Sequence, residues 1–191
     1  MALKKGHEIA TIDVCLVTVT TSETTPREIG LTTATQIQVD PQIETTEAIK
    51  LIIKAILVAQ KREKQTITGN QITLADNVFN PELVQIIQGG TITTGADGKI
   101  TSYTPPVAGS NPADIPVFTL NAYSAQYDAS GLIVQYEKIS YPNCTGNPIS
   151  MSAQDDVFRV SEYTIISAPA QGEAPYTITY VDTLPAVADA D

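Results

Sequence analysis

Residues Thr66–Ile92, TITGNQITLADNVFNPELVQIIQGGTI, decide the fold of this chain. They set one clearly punctuated helix between strand-like segments. At the Asn80-Pro81 step, the asparagine side chain can accept from an orphan backbone N–H, and proline gives up a donor that would be unpaired anyway. Glu82 follows in the first turn, where a negative charge complements the helix dipole. Leu83, Val84, Ile86 and Ile87 recur at helical spacing on one face. Gly89-Gly90 closes the helix by permitting a left-handed backbone. The pattern predicts a short helix over Pro81–Gly89 that docks on a body otherwise mostly β. No residue of the stretch is equipped for catalysis, which points to a structural or assembly module.

Composition supports that direction. The chain has 191 residues, enough for a single domain over 1–191 with a core that needs no staples. Thr, Ile, Val and Tyr are plentiful and Trp is absent, a bias toward pleated surface. Residues 1–64 carry eight acidic and eight basic side chains. Residues 65–191 carry thirteen acidic ones against Lys99, Lys138 and Arg159, so they hold the whole net charge of −10. A body this acidic argues against clamping phosphate, which needs Lys and Arg. The same balance also serves ordinary solubility. Cys15, in the apolar run IDVCLVTV, reads as a small core residue, and Cys144 falls in the turn-like YPNCTGNP. Their spacing suits neither a metal nor a redox pair, and a reduced compartment is the expectation. No signal peptide is visible: Lys4 and Lys5 are followed by His7, Glu8 and Asp13. The longest apolar stretch, Ile49 to Ala59, is interrupted by Lys50 and Lys54 and is too short for a membrane span.

Reading outward, Thr11–Thr20 and Thr32–Asp40 alternate as strands, Thr21–Leu31 reads as a loop, and Pro41 is expected to break the second strand. Residues 44–64 are ambiguous. Ile49, Ile52, Ile53 and Ile56 make a helical stripe, whereas Ile49, Leu51, Ile53, Ala55 and Leu57 make a strand alternation; the β-branched density favours strand. Thr66–Leu74 is strand-like around Gly69-Asn70, and Thr91–Thr104 reads as a hairpin about Gly95-Ala96-Asp97-Gly98. Strands follow over Val117–Tyr127, Leu132–Tyr141, Val157–Ser167 and Tyr176–Asp182. Val117, Tyr123 and Tyr127 are expected on one face of the first of these, with Phe118, Leu120 and Ala122 on the other. Residues 21–48 and 104–116 are expected as extended loops or arms, and 184–191 as a mobile tail. Several short strands with turn signals between them predict a mainly β fold, a sandwich or partial barrel with one flanking helix.

The search for chemistry finds little. A nucleophile needs a base beside it, and the single histidine, His7, lies near a terminus. Asp155-Asp156 reads as a solvated turn, and TGADGK around Asp97 lacks the further oxygen ligands of a calcium loop. No phosphate-loop, dinucleotide or nucleophile-elbow motif occurs, and no cofactor is expected. The tyrosines fall at strand spacing and read as packing residues. A carboxylate hydrolase would need two acids facing one another across a cleft, which the sequence does not single out. A β-sandwich binding module of adhesin or carbohydrate-binding type would need exposed aromatics or calcium ligands on a loop face.

Three segments, ITGNQITLADNVFNPELVQIIQGGTI, YSAQYDASGLIVQYEKISYPNC and DDVFRVSEYTIISAP, together with LTTATQIQVDPQIETT, resemble the major tail (tail tube) proteins of long-tailed bacteriophages and related phage-tail-like particles. The likeness covers most of residues 30–185. It implies a structural, non-enzymatic subunit in a virion tail, made in the host cytoplasm. Such subunits form hexameric rings, stacked into a tube through which DNA is ejected without specific binding. The implied partners are further copies of the chain, the tape measure, tail terminator and baseplate proteins, and a sheath protein if the tail contracts; no membrane is involved. The helix Pro81–Gly89 matches the family's flanking helix. Thr32–Asp40 and Glu44–Gln60 would suit a long hairpin on the inner wall, which makes Asp40, Glu44 and Glu47 candidate lumen-facing acids. Lys50, Lys54, Lys61, Arg62 and Lys64 complicate that placement and suggest pairing with acids on a neighbour.

Overall fold

The computed structural model describes residues 10–109, 115–151, 154–156 and 159–187. The expectations for His7, for 110–114 of the second arm, for 157–158 and for 188–191 of the tail lie outside them. Twelve strands and one helix follow in chain order: β1 (Thr11–Thr21), β2 (Glu28–Leu31), β3 (Ala34–Thr46), β4 (Ile49–Ile53), β5 (Ile56–Lys61), β6 (Lys64–Asp76), α1 (Pro81–Gln88), β7 (Thr91–Thr94), β8 (Ile100–Thr104), β9 (Phe118–Tyr127), β10 (Ile133–Gly146), β11 (Ser161–Ser167) and β12 (Thr177–Val181). The fold is mainly β.

One antiparallel sheet runs β2-β1-β9-β10-β11-β6-β3, with β12 also on β10. The long β10 turns the sheet over on itself. Its first half pairs with β12 (Tyr136↔Val181 to Ser140↔Thr177), whereas its last residues pair with β11 (Cys144↔Ser167 to Gly146↔Ile165). Two leaves result, β2-β1-β9-β10-β12 and β11-β6-β3. β1 also lies against β3 without forming a ladder, so the sandwich is a partly closed barrel. Val17, Val19, Ile72, Leu74, Phe118, Leu120, Tyr141, Tyr163 and Ile165 fill the space between the leaves.

The helix closes one end of that core. Asn80 Oδ1 accepts from the amides of Glu82 (3.0 Å) and Leu83 (3.1 Å), and Gly89 takes φ 76° at the C-cap. Leu83, Val84, Ile86 and Ile87 are all fully buried. The helix seats on β10 at Gly146, where a Cβ would come within 2.7 Å of the Ile87 carbonyl oxygen and 2.8 Å of Ile87 Cα. Gln88 fixes the next turn of chain by accepting from the Ile149 amide (3.0 Å) and donating to the Tyr103 hydroxyl (2.8 Å).

Several expectations need correction. The supposed loop Thr21–Leu31 ends in β2, which pairs with β1 from Val17↔Leu31 to Thr20↔Glu28. Pro41 does not break the second strand: β3 runs through it to Thr46. A proline is tolerated there because, among the described residues, β3 pairs with β6 alone, leaving one side of the strand without a ladder to disrupt. Of residues 21–48, expected as an arm, 21, 28–31 and 34–46 are therefore strand. The stretch YPNCTGNP is not a turn. β10 continues through it to Gly146 over a bulge between Tyr141 and Cys144, with Asn143 at φ 48°. The strand expected from Val157 begins at Ser161 among the described residues. Residues 184–187 have no regular structure, and Val187 packs against Gly30.

The cysteines exchange roles. Cys15 sits at the β1 bulge and is only half-buried, while Cys144 is wholly buried on the continued β10. β9 has the two faces that its alternation predicts, and both are buried. Phe118 and Leu120 enter the core, and Tyr123 is buried on the opposite face, with Lys138 Nζ 5.8 Å from its ring centroid. That outer face also carries a buried polar row: Asn121 Nδ2 donates to Thr18 Oγ1 (3.0 Å), and Ser140 Oγ donates to Asn121 Oδ1 (2.8 Å).

Burial pushes the Cys144 thiol up from 9.0 to about 12, and burial, aided by Tyr176, raises the Tyr141 hydroxyl from 10.0 to about 12. The native state therefore keeps two protons that the unfolded chain releases at lower pH. Their contribution is complete below about pH 9 and is lost as pH rises toward 12. Urea midpoints measured across that window should fall steadily. A Cys144→Ala variant should show a shallower decline, and a flat profile in the parent chain would contradict the burial of both groups.

Candidate assembly surface

Asn70 marks where the body ends and an arm begins. β6 is flanked on one side by β3 and on the other by β11, but β11 stops at the Ser167↔Asn70 pair. The two strands cross so closely that a Cβ on Gly69 would meet the Ser167 carbonyl oxygen at 2.5 Å. Beyond this point β3 and β6 continue as a two-stranded ribbon from Gln42↔Gly69 to Thr46↔Lys64. β4 and β5 prolong it from Ile49↔Lys61 to Ile53↔Ile56. The pairing corrects the hairpin expected from the sequence: the partner of Thr32–Asp40 is the end of β6, and residues 49–61 are the hairpin's own tip. From Ile43 to Ile53 the ribbon adds a contour of roughly 35 Å at strand rise. Its tip turns on Lys54 and Ala55, both left-handed (φ 48° and 64°), the geometry of a two-residue hairpin turn that usually takes Asn-Gly.

Strand alternation gives the ribbon two unlike faces. On one, Ile37/Leu74 and Val39/Ile72 belong to the body's core side, and the same side continues outward as Pro41/Asn70, Ile43/Ile67 and Thr45/Gln65. Ile43 is 53% exposed and Ile67 41%. On the other, Gln36, Gln38, Asp40, Gln42, Glu44 and Thr46 lie beside Lys64, Thr66, Gln71 and Thr73. Gln38 Nε2 donates to Asp40 Oδ2 (3.0 Å) along this polar face. Of the three acids singled out above, Asp40 and Glu44 thus share one face, opposite Gln71 and Thr66. Glu47 lies between β3 and β4, exposed and outside either ladder. At the tip Ile49, Leu51, Ile53 and Ile56 share a side, with Ile52 and Leu57 behind them, and every one is at least half exposed.

The rest of the surface offers less. Among the described residues no group of three His, Cys, Asp or Glu could hold a metal ion. The buried carboxylate Asp76 accepts from Thr33 Oγ1 (2.6 Å) and the Val78 amide (3.2 Å), fixing the turn that leads into α1. An open groove of about 390 Å³ holds Glu28 and Glu82, but Arg27 ties its walls together by donating to Gln85 Oε1 (2.9 Å). Asp128 organises the β9–β10 turn. It accepts from Ser130 Oγ (2.6 Å) and the Leu132 amide (3.0 Å), which hold its carboxyl below the usual carboxylate range.

No known protein-family pattern matches the chain, and no curated protein matches it in sequence. Among solved structures it is similar to a chain of the sheath–tube complex of an extracellular contractile injection system, PVC, in its extended state. The TM-score is 0.42 and the identity 13%, over 89% of this chain and 92% of that one. It is also similar to a chain of the six-fold symmetrised baseplate of the anti-feeding prophage, with a TM-score of 0.34 and 10% identity over 95% and 97% of the two chains.

Proposed function

We propose that the chain is a structural subunit of a bacteriophage tail tube or a related phage-tail-like particle, assembling into hexameric rings that stack as a conduit for DNA. One observation carries this reading: past Asn70 the chain is a two-stranded ribbon with bare edges and apolar residues in water. An isolated two-stranded hairpin is marginal at best in water. A sheet edge left open in this way is a template for pairing with another chain.

Side-by-side packing of hairpins from successive copies closes those edges around a central hole. In that arrangement the face of Gln36, Gln38, Asp40, Gln42 and Glu44 lines the passage. Amides and hydroxyls keep it wet, and two carboxylates per copy repel the phosphates of passing DNA. The apolar face turns outward against the bodies. Covering six half-exposed Ile and Leu side chains recovers on the order of 6–10 kcal/mol. Association costs about 4–15 kcal/mol. Apolar contact alone is therefore not enough, and edge pairing with ring closure supplies the remainder. Tape measure, terminator, baseplate and, in a contractile tail, sheath proteins are the partners this role requires. Negative-stain microscopy of the purified protein at high concentration should show rings or hollow tubes. A persistent monomer with affinity for glycans would overturn the reading in favour of a binding module.

A further inference from the structure

The hairpin tip and the body differ in charge. Residues 47–64 carry five basic side chains, Lys50, Lys54, Lys61, Arg62 and Lys64, against Glu47 and Glu63, in a chain whose net charge is −10. A second exposed apolar strip lies on the edge strand β12. Tyr176, Ile178 and Tyr180 alternate onto one face there and are 42%, 45% and 49% exposed. Among the described residues β12 pairs only with β10, and its other edge carries no ladder. The side chains around this strip are acidic. Glu137 stands opposite Tyr180, and Asp182 follows directly on the end of β12, exposed. Glu173 precedes the strip, anchored by accepting from Asn143 Nδ2 (2.8 Å) and the Ala170 amide (2.9 Å). Lys138, which pairs with Thr179, belongs to the opposite face, over Tyr123.

We infer that the tip of one copy docks on the β12 strip of another, its isoleucines against Tyr176, Ile178 and Tyr180 and its lysines against Glu137 and Asp182. Both surfaces are apolar, each has free strand edges, and their charges are opposite, so the contact is attractive in every respect that the two surfaces present. The occupant is a second copy because a chain's own strip sits at the root of its hairpin: Asn70 Nδ2 donates to the Pro175 carbonyl (2.9 Å) just before β12. The tip is about 35 Å of ribbon away from that root. Two different patches meet, so the contact is head-to-tail, the kind that generates rings and filaments. This inference rests on the assembly reading above and assigns its contact.

The test is a charge exchange. Lys50→Glu with Lys54→Glu and Lys61→Glu reverses the tip; Glu137→Lys with Asp182→Lys reverses the strip. Lys50, Lys54, Lys61 and Asp182 are exposed and Glu137 is half-buried, and circular dichroism should show both variants folded. Each variant alone should lose assembly, read as sedimentable protein at low ionic strength, by about tenfold or more. The chain carrying both reversals, and an equimolar mixture of the two single-surface variants, should regain it. If the parent chain forms no assemblies at all, the structural role itself fails. If the parent assembles and the tip reversal has no effect, or the double reversal brings no recovery, the docking assignment fails and the structural role stands.

Discussion

Gly146→Ala should lower stability by about 1–3 kcal/mol, the range for forcing an extra methyl into a packed core. The reason is local. The new Cβ would stand 2.7 Å from the carbonyl oxygen of Ile87 and 2.8 Å from its Cα, and both are backbone atoms that no rotamer change can move. α1 must lift or shear, and it carries four fully buried side chains with it. With total stabilities of domains near 5–15 kcal/mol, the loss is a large fraction of the whole. Urea unfolding should show a lower midpoint with an unchanged slope. Gly146→Val should be worse. An unchanged midpoint in the alanine variant would mean that the helix does not rest on β10 at this point.

Replacing residues 47–63 by Asn-Gly should leave a folded chain that no longer assembles. Thr46 and Lys64 are already paired, so a two-residue turn can join them without shifting register. No member of the central core lies in the excised segment, and its large apolar side chains are all exposed. The melting temperature of dilute protein should therefore hold or rise slightly, while rings or tubes disappear from micrographs. Cooperative unfolding lost on excision would make the tip part of the fold. Tubes that persist would make it irrelevant to assembly.

The two predictions rest on parts of the structure that were unequally legible in the sequence. α1 could be read almost atom by atom because caps, first-turn acid and apolar spacing all act within a few residues of one another. Its seat could not. Nothing around Gly146 in CTGNP distinguishes a glycine needed for close approach from one needed for a turn, and the contact with Ile87 spans the chain. The long hairpin was half visible. The alternation Gln36-Ile37-Gln38-Val39-Asp40 continues through Pro41 to Ile43 and Glu44, and the signal for one uninterrupted strand was there. Proline breaks a central strand but not one with a bare side, and whether a strand is central depends on neighbours that sequence does not list. For residues 49–61 helix and strand patterns coincide. The tie is broken by the β4–β5 pairing, a contact with no local signature. Cys15 and Cys144 exchanged roles for a similar reason: a bulge half-opens one, and a strand running further than its turn residues suggest covers the other.

Pro41 carries a last consequence. It lies on β3, whose outer side forms no ladder among the described residues, and it brings no amide hydrogen to that margin. A stack of identical chains growing without limit along this strand would leave a gap at every repeat, and each gap would strand an acceptor in a dry seam. Contacts made through side chains, or at the margins of β4, β5 and β12, incur no such penalty. The imino acid thus interrupts strand pairing between copies at its own position and directs it to Gln42–Thr46 and the margins of β4 and β5, a restraint on a molecule that has to adhere to its own kind.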